Sequence, residues 1–126
     1  MSKIKVLSID DDRSITRLNE AILTKAGYEV TIASDGFEGM NKAEEVLPDV
    51  ILLDLILPGE FGFEVCKRLN NNEKTKGIPI VIVTGSGLEE VAMNEPQIKA
   101  AGFISKPYGA KELIAIVEQA LNKKSQ

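Results

Sequence analysis

Apolar residues recur along the chain in two alternating patterns. Ile4, Val6, Leu7 and Ile9 make a short apolar run that ends in acid at Asp10. Over 14–26, Ile15, Leu18, Ile22 and Leu23 recur at helical spacing and mark one buried face. Gly27 then supplies a left-handed stop. Residues 28–33 predict a second strand. Phe37, Met40, Ala43 and Leu47 predict a second helix, closed by Pro48. Residues 49–54 hold Val-Ile-Leu-Leu, an unbroken run of the kind buried on both faces of a parallel sheet. Phe63, Cys66 and Leu69 mark a third helix, with Cys66 as a small buried hydrophobe. A fourth strand is predicted over 78–84 and a short fifth over 102–105. A closing helix over 110–122 turns Leu113, Val117, Ala120 and Leu121 inward. Between them, Leu88, Val91 and Ala92 suggest a fourth helix that Pro96 would shorten or restart. Five strands alternating with helices predict an α/β fold, a parallel sheet covered on both faces.

The 126 residues suffice for one domain with its own core. Hydrophobic residues make up 44% and charged residues 27%, which excludes a disordered chain. Fifteen Lys and Arg against nineteen Asp and Glu give a net charge of −4, unsuited to direct binding of nucleic acid or an anionic membrane. The single Cys excludes an internal disulfide and a multi-cysteine zinc site, and the absence of His excludes histidine zinc sites and Ser-His-Asp triads. Any chemistry must run on carboxylates, lysine, hydroxyls and metal. No apolar stretch approaches the length of a signal peptide core or a membrane span, so a cytoplasmic location is expected.

In an open parallel sheet, ligands bind beyond the carboxyl ends of the strands. The first strand ends in Asp10, Asp11 and Asp12, the third in Asp54, the fourth in Thr84 and the fifth in Ser105, Lys106 and Pro107. Clustered carboxylates repel one another unless a cation joins them. An all-oxygen set suits a hard divalent ion, and Mg²⁺ binds through a few carboxylates while keeping several waters. Three carboxylates and Mg²⁺ leave a charge of about −1, which Lys106 can neutralise. A carboxylate beside a metal and a lysine can attack phosphorus, with the Thr84 hydroxyl donating to a phosphoryl oxygen. Asp12 is read as the N-cap of the first helix.

These motifs resemble the receiver domain of two-component response regulators. The likeness runs from Lys3 to about Leu121. It is carried by Val6-Leu7-Ser8-Ile9-Asp10-Asp11-Asp12, by Asp49-Val50-Ile51-Leu52-Leu53-Asp54-Leu55-Ile56-Leu57-Pro58-Gly59, by Ile82-Val83-Thr84-Gly85 and by Gly102-Phe103-Ile104-Ser105-Lys106-Pro107-Tyr108. The resemblance implies a single-domain, flavodoxin-like (βα)5 fold with strand order 2-1-3-4-5 over residues 1–122. A short polar tail over 123–126 would follow, with no output domain encoded. It implies that Asp54 accepts a phosphoryl group from a histidine kinase or phosphotransfer protein. It implies that Asp10 and Asp11 hold Mg²⁺ together with Asp54 and the backbone carbonyl of Ile56. Lys106 would contact the phosphoryl group through a loop with a cis Lys106–Pro107 bond. Thr84 and Phe103 would form the switch. Such a module is a phosphoacceptor regulator and no conventional enzyme, although it can catalyse its own phosphorylation from small phosphodonors and its own dephosphorylation. A downstream protein would dock on the surface of the fourth helix, fifth strand and fifth helix, and the chain would be a monomer or a phosphorylation-dependent dimer.

The chain departs from the family in four places: Phe61 where an Asp is common, Gly85 beside the switch hydroxyl, Phe103 in place of Tyr, and Pro96. The alternatives within the same fold are a phosphorelay shuttle and a non-phosphorylated interaction scaffold. A haloacid dehalogenase phosphatase would need a second Asp at Ile56. A flavin-binding domain would need a hydroxyl- and glycine-rich loop where three acids stand, and a calcium loop would need Gly at Ile15.

Overall fold

The computed structural model describes residues 3–85 and 99–124. The chain runs β1 (Lys5–Ile9), α1 (Arg13–Lys25), β2 (Glu29–Ala33), α2 (Gly36–Val46), β3 (Val50–Asp54), β4 (Ile56–Leu57), β5 (Glu60–Phe61), α3 (Gly62–Asn70), β6 (Ile80–Thr84), β7 (Gly102–Ser105) and α4 (Ala110–Lys124). Five strands form one parallel sheet in the order β2-β1-β3-β6-β7, the expected order 2-1-3-4-5 once the small hairpin is set aside. The predicted fourth helix and its interruption at Pro96 lie outside the described residues. Among the described residues, no helix is long and apolar enough to cross a membrane.

Every residue of β3 and β6 is buried, as their unbroken apolar runs require at the centre of a covered sheet. Alternate residues feed two cores. Leu7, Ile9, Ile51, Leu53, Ile80 and Ile82 pack with Ala43 of α2 and with Val65, Cys66 and Leu69 of α3. Val6, Val50, Leu52, Val81 and Val83 pack with Leu23 of α1 and with Leu113, Val117 and Ala120 of α4. Each fully buried Leu or Ile contributes roughly 1.5–3 kcal/mol.

Several predicted positions shift. Leu18 is 45% exposed, because the buried stripe of α1 runs through Thr16, Asn19 and Leu23. Phe37 is 78% exposed, since α2 meets the sheet through Gly36, Gly39 and Ala43, with Gly39 close against Ile9. Leu47 leaves the helical path as a left-handed C-cap at φ 52, and its side chain turns to solvent. The closing helix runs to Lys124, two residues past its expected end. Its last turn is anchored where Lys123 Nζ donates to the Ala101 carbonyl at 2.6 Å.

The β4–β5 hairpin has no counterpart in the sequence reading. Ile56 pairs with Phe61 and Leu57 with Glu60 around Pro58 and Gly59. Gly59 sits at φ 76, a backbone value that favours glycine. The hairpin is fastened by Glu60, whose carboxylate meets the Arg68 guanidinium of α3 and packs on Gly36 at the start of α2.

Candidate functional site

Four sequence-predicted groups, Asp10, Asp11, Asp54 and Lys106, converge beyond the carboxyl ends of the strands, and three of them are held there by the neighbouring strand. Asp10 stands one residue past β1, its amide donating to the Ala33 carbonyl of β2 at 3.0 Å. Asp54 is the last residue of β3, and the next amide, Leu55, donates to Val83 of β6 at 2.9 Å. Lys106 follows β7, with its amide on the Thr84 carbonyl at 2.8 Å. Carboxylate oxygens of Asp10, Asp11 and Asp54 all lie within 4.8 Å of one another. Lys106 Nζ donates to Asp10 Oδ2 at 2.9 Å and lies 3.4 Å from Asp54 Oδ2. Asp10 and Asp54 are buried and Asp11 is exposed at the mouth.

Burial first, and the charge of Asp10 second, push the Asp54 carboxyl up from 3.8 to about 6. Lys106 lowers it, but one ammonium serves two buried acids. Burial works against the charge of Lys106 itself. The hydrogen bond and charge of Asp10, joined by Asp54, outweigh it and hold the ammonium above the ordinary lysine value. The set is short of positive charge and rich in hard oxygen donors, which fits a divalent cation of the Mg²⁺ kind. Ile56 opens the hairpin two residues past Asp54, with its amide 3.4 Å from Asp54 Oδ1 and its side chain exposed.

Asp12 caps α1, as expected. Its carboxylate accepts from the Ser14 amide at 2.9 Å and the Ser14 hydroxyl at 2.6 Å, and these bonds, the hydroxyl's first, lower its pKa. The Asp12 amide in turn donates to Asp10 Oδ1 at 2.9 Å, so the turn that starts the helix also orients a site carboxylate.

Thr84 is buried, and its Oγ1 lies on the β7 side, 3.5 Å from the Ile104 carbonyl and 3.3 Å from Ser105 Oγ. Phe103 is half-buried against the core shared by α2 and α3. The Lys106–Pro107 bond is cis.

Sequence reasoning missed a buried polar chain behind the rim. Asn19 Nδ2 donates to Ser8 Oγ at 3.2 Å, and Asn19 Oδ1 accepts from the Tyr108 hydroxyl at 2.6 Å. The signal was present: Asn19 lies four residues from both Ile15 and Leu23, on the apolar stripe. A polar side chain there needs partners.

A family model described as the response regulator receiver domain matches residues 6–118. The DNA-binding dual master transcriptional regulator RpaA of Synechocystis is 37% identical over 94% of this chain and 49% of its own length. The alkaline phosphatase synthesis transcriptional regulatory protein PhoP of Bacillus subtilis is 36% identical over 94% of this chain and 49% of its own. The chain therefore spans about half the length of these curated relatives. The chemotaxis protein CheY4 of Vibrio cholerae superposes with a TM-score of 0.88 at 32% identity, covering 95% of this chain and 100% of that one. A CheY-like receiver domain protein of Methanospirillum hungatei gives 0.89 at 28% identity, with 98% of both chains covered. With the family model spanning nearly the whole sheet and the acidic rim at its carboxyl edge, the chain belongs to the response regulator receiver domain family.

Proposed function

We propose that this domain takes a phosphoryl group onto Asp54 from a phosphohistidine of a kinase or phosphotransfer protein. The observation that carries the reading is the single lysine shared by two buried carboxylates beside a third. An Asp54 Oδ atom attacks phosphorus, a P–O bond forms as the donor's P–N bond breaks, and the leaving imidazole takes up a proton. Asp10, Asp11, Asp54 and the Ile56 carbonyl would hold Mg²⁺, which supplies positive charge to the phosphoryl oxygens. Lys106 holds Asp54 in place through a charge-assisted bond and is placed to pair with a phosphoryl oxygen. In this reading the domain acts as a regulator and not as a conventional enzyme, and catalysis extends only to its own phosphorylation from small phosphodonors and its own dephosphorylation.

Intact mass after incubation with Mg²⁺ and a small acyl phosphate is expected to show one phosphoryl group. The gain should vanish without Mg²⁺ and in Asp54→Asn, and should slow in Asp11→Ala. A full gain in Asp54→Asn would remove Asp54 from the role assigned to it.

The output follows from Thr84. Its hydroxyl faces β7 in this state and gains a better partner when Asp54 carries a phosphoryl oxygen. Turning toward that oxygen frees space beside β7 for the Phe103 ring, and burying a ring is worth roughly 1.5–3 kcal/mol, enough to bias a two-state surface. The altered surface includes β7 and α4, where a downstream protein or a second copy would dock. Phosphorylation should move amide resonances around Phe103 and α4 in wild type and leave them in place in Thr84→Ala. Equal movement in both would favour a phosphoryl shuttle over this switch.

A further inference from the structure

We propose that Asn19 and Tyr108 are positioning residues for Lys106, holding its loop to the strand that carries Asp10. This rests on the role given to Lys106 above. Asn19 is 1% exposed, on the α1 face that packs against the sheet. Both ends of its carboxamide are used, one by Ser8 of β1 and one by Tyr108 beyond β7. Ser8 is itself buried, two residues before Asp10. The contacts close a circuit. Lys106 Nζ meets Asp10 at 2.9 Å, and the chain passes from Lys106 through Pro107 to Tyr108. The Tyr108 hydroxyl meets Asn19 at 2.6 Å, Asn19 meets Ser8 at 3.2 Å, and β1 leads from Ser8 back to Asp10.

Lys106 is therefore held from two sides. Its amide is bonded to Thr84 on the strand side, and two residues later the Tyr108 ring is bonded to α1. A lysine stem carries several free rotors, and its charge reaches two carboxylates only while its base is fixed. A leucine at position 19 would satisfy the apolar stripe equally well, and among the described residues the Asn19 amide adds the bonds to Ser8 and Tyr108. Buried hydrogen bonds of this kind specify one arrangement because the alternative leaves polar groups unpaired.

The test uses Tyr108→Phe, which removes one hydroxyl and keeps the ring, and Asn19→Leu, which removes both bonds and keeps an apolar filler. With ¹³C-labelled lysine in Mg²⁺-free protein, the two Lys106 ε-methylene protons should give separate signals in wild type and merge in each variant. Signals that stay separate in both variants overturn the proposal. Phosphorylation from a small acyl phosphate should slow roughly tenfold in each variant. The double variant should be no slower than the slower single one. The Mg²⁺ dissociation constant should be unchanged, because Asp10, Asp11 and Asp54 remain. An unchanged rate, or a loss of Mg²⁺ affinity in step with the rate, overturns it as well. If wild type gains no phosphoryl group, the reading of Asp54 fails, and the methylene signals still decide the positioning role.

Discussion

Gly62→Ala is expected to destabilise the fold by about 3 kcal/mol and to slow phosphorylation at the same time. Gly62 begins α3 directly beneath Asp54, the proposed phosphoacceptor. Its amide donates to the Leu55 carbonyl at 2.5 Å. A methyl group there would press on the Asp54 carbonyl oxygen and come within 3.0 Å of the Leu55 Cα. Both obstacles are backbone, so no rotamer change relieves the overlap. Either α3 withdraws from Val65, Cys66 and Leu69's contacts with the sheet, or the end of β3 moves and carries the Asp54 carboxylate away from Lys106. Gly77→Ala is the matched control, because a methyl group there meets nothing within 4 Å. A drop in melting temperature on the order of 10 °C is expected for Gly62→Ala and almost none for Gly77→Ala. Similar melting curves for the two would show that the contact at Gly62 is easily absorbed.

Metal-free protein should become more stable as pH falls from 7 to 5. In the fold the Asp54 carboxyl titrates at about 6, against an ordinary 3.8. Between those values the native state keeps a proton that the unfolded chain has released. The contribution is therefore complete below the ordinary value and is lost as pH rises through about 6. The interval corresponds to on the order of 2–3 kcal/mol. Asp12 acts in the opposite sense, but it is a solvent-exposed cap whose pKa is lowered, so its loss falls below this window. Urea midpoints measured in chelator should rise between pH 7 and pH 5 in wild type. Asp54→Asn should be more stable than wild type at pH 7 and nearly flat across the range. A wild-type midpoint as flat as the mutant's, or one that falls toward pH 5, would contradict the raised carboxyl. Saturating Mg²⁺ should reverse the trend, because ion binding needs ionised carboxylates and adds stability at pH 7 in proportion to the logarithm of its concentration.

The sheet was legible because its two central strands are unbroken apolar runs, and the site was legible because Asp10, Asp54, Thr84 and Lys106 fall at strand ends. Topology converts those ends into one rim, so linear positions became spatial neighbours without side-chain detail. What the sequence hid was of two kinds. The β4–β5 hairpin has two residues per strand, too few for any period to register, and only Pro58-Gly59 hinted at a turn. The buried face of α1 was misread because Leu18 seemed a better core residue than Asn19. Hydrophobicity alone cannot reveal that Asn19 has two partners waiting, the buried Ser8 on β1 and the half-buried Tyr108, 89 residues away.

The full burial of β3 has a consequence for how the molecule keeps time with its surroundings. That strand lies in the middle of the sheet, with side chains locked alternately into two cores, so its amides should exchange with solvent only when the whole domain opens. The backbone that presents Asp54 is thus a fixed reference. Under the proposed phosphorylation, covalent change at its carboxylate would be read by rotation of the Thr84 side chain beside a fixed Lys106, and the strand itself would stay still. A domain built this way can switch in the time of a rotamer jump and hold its fold for as long as its global barrier allows, so the lifetime of the signal and the lifetime of the fold can be tuned independently.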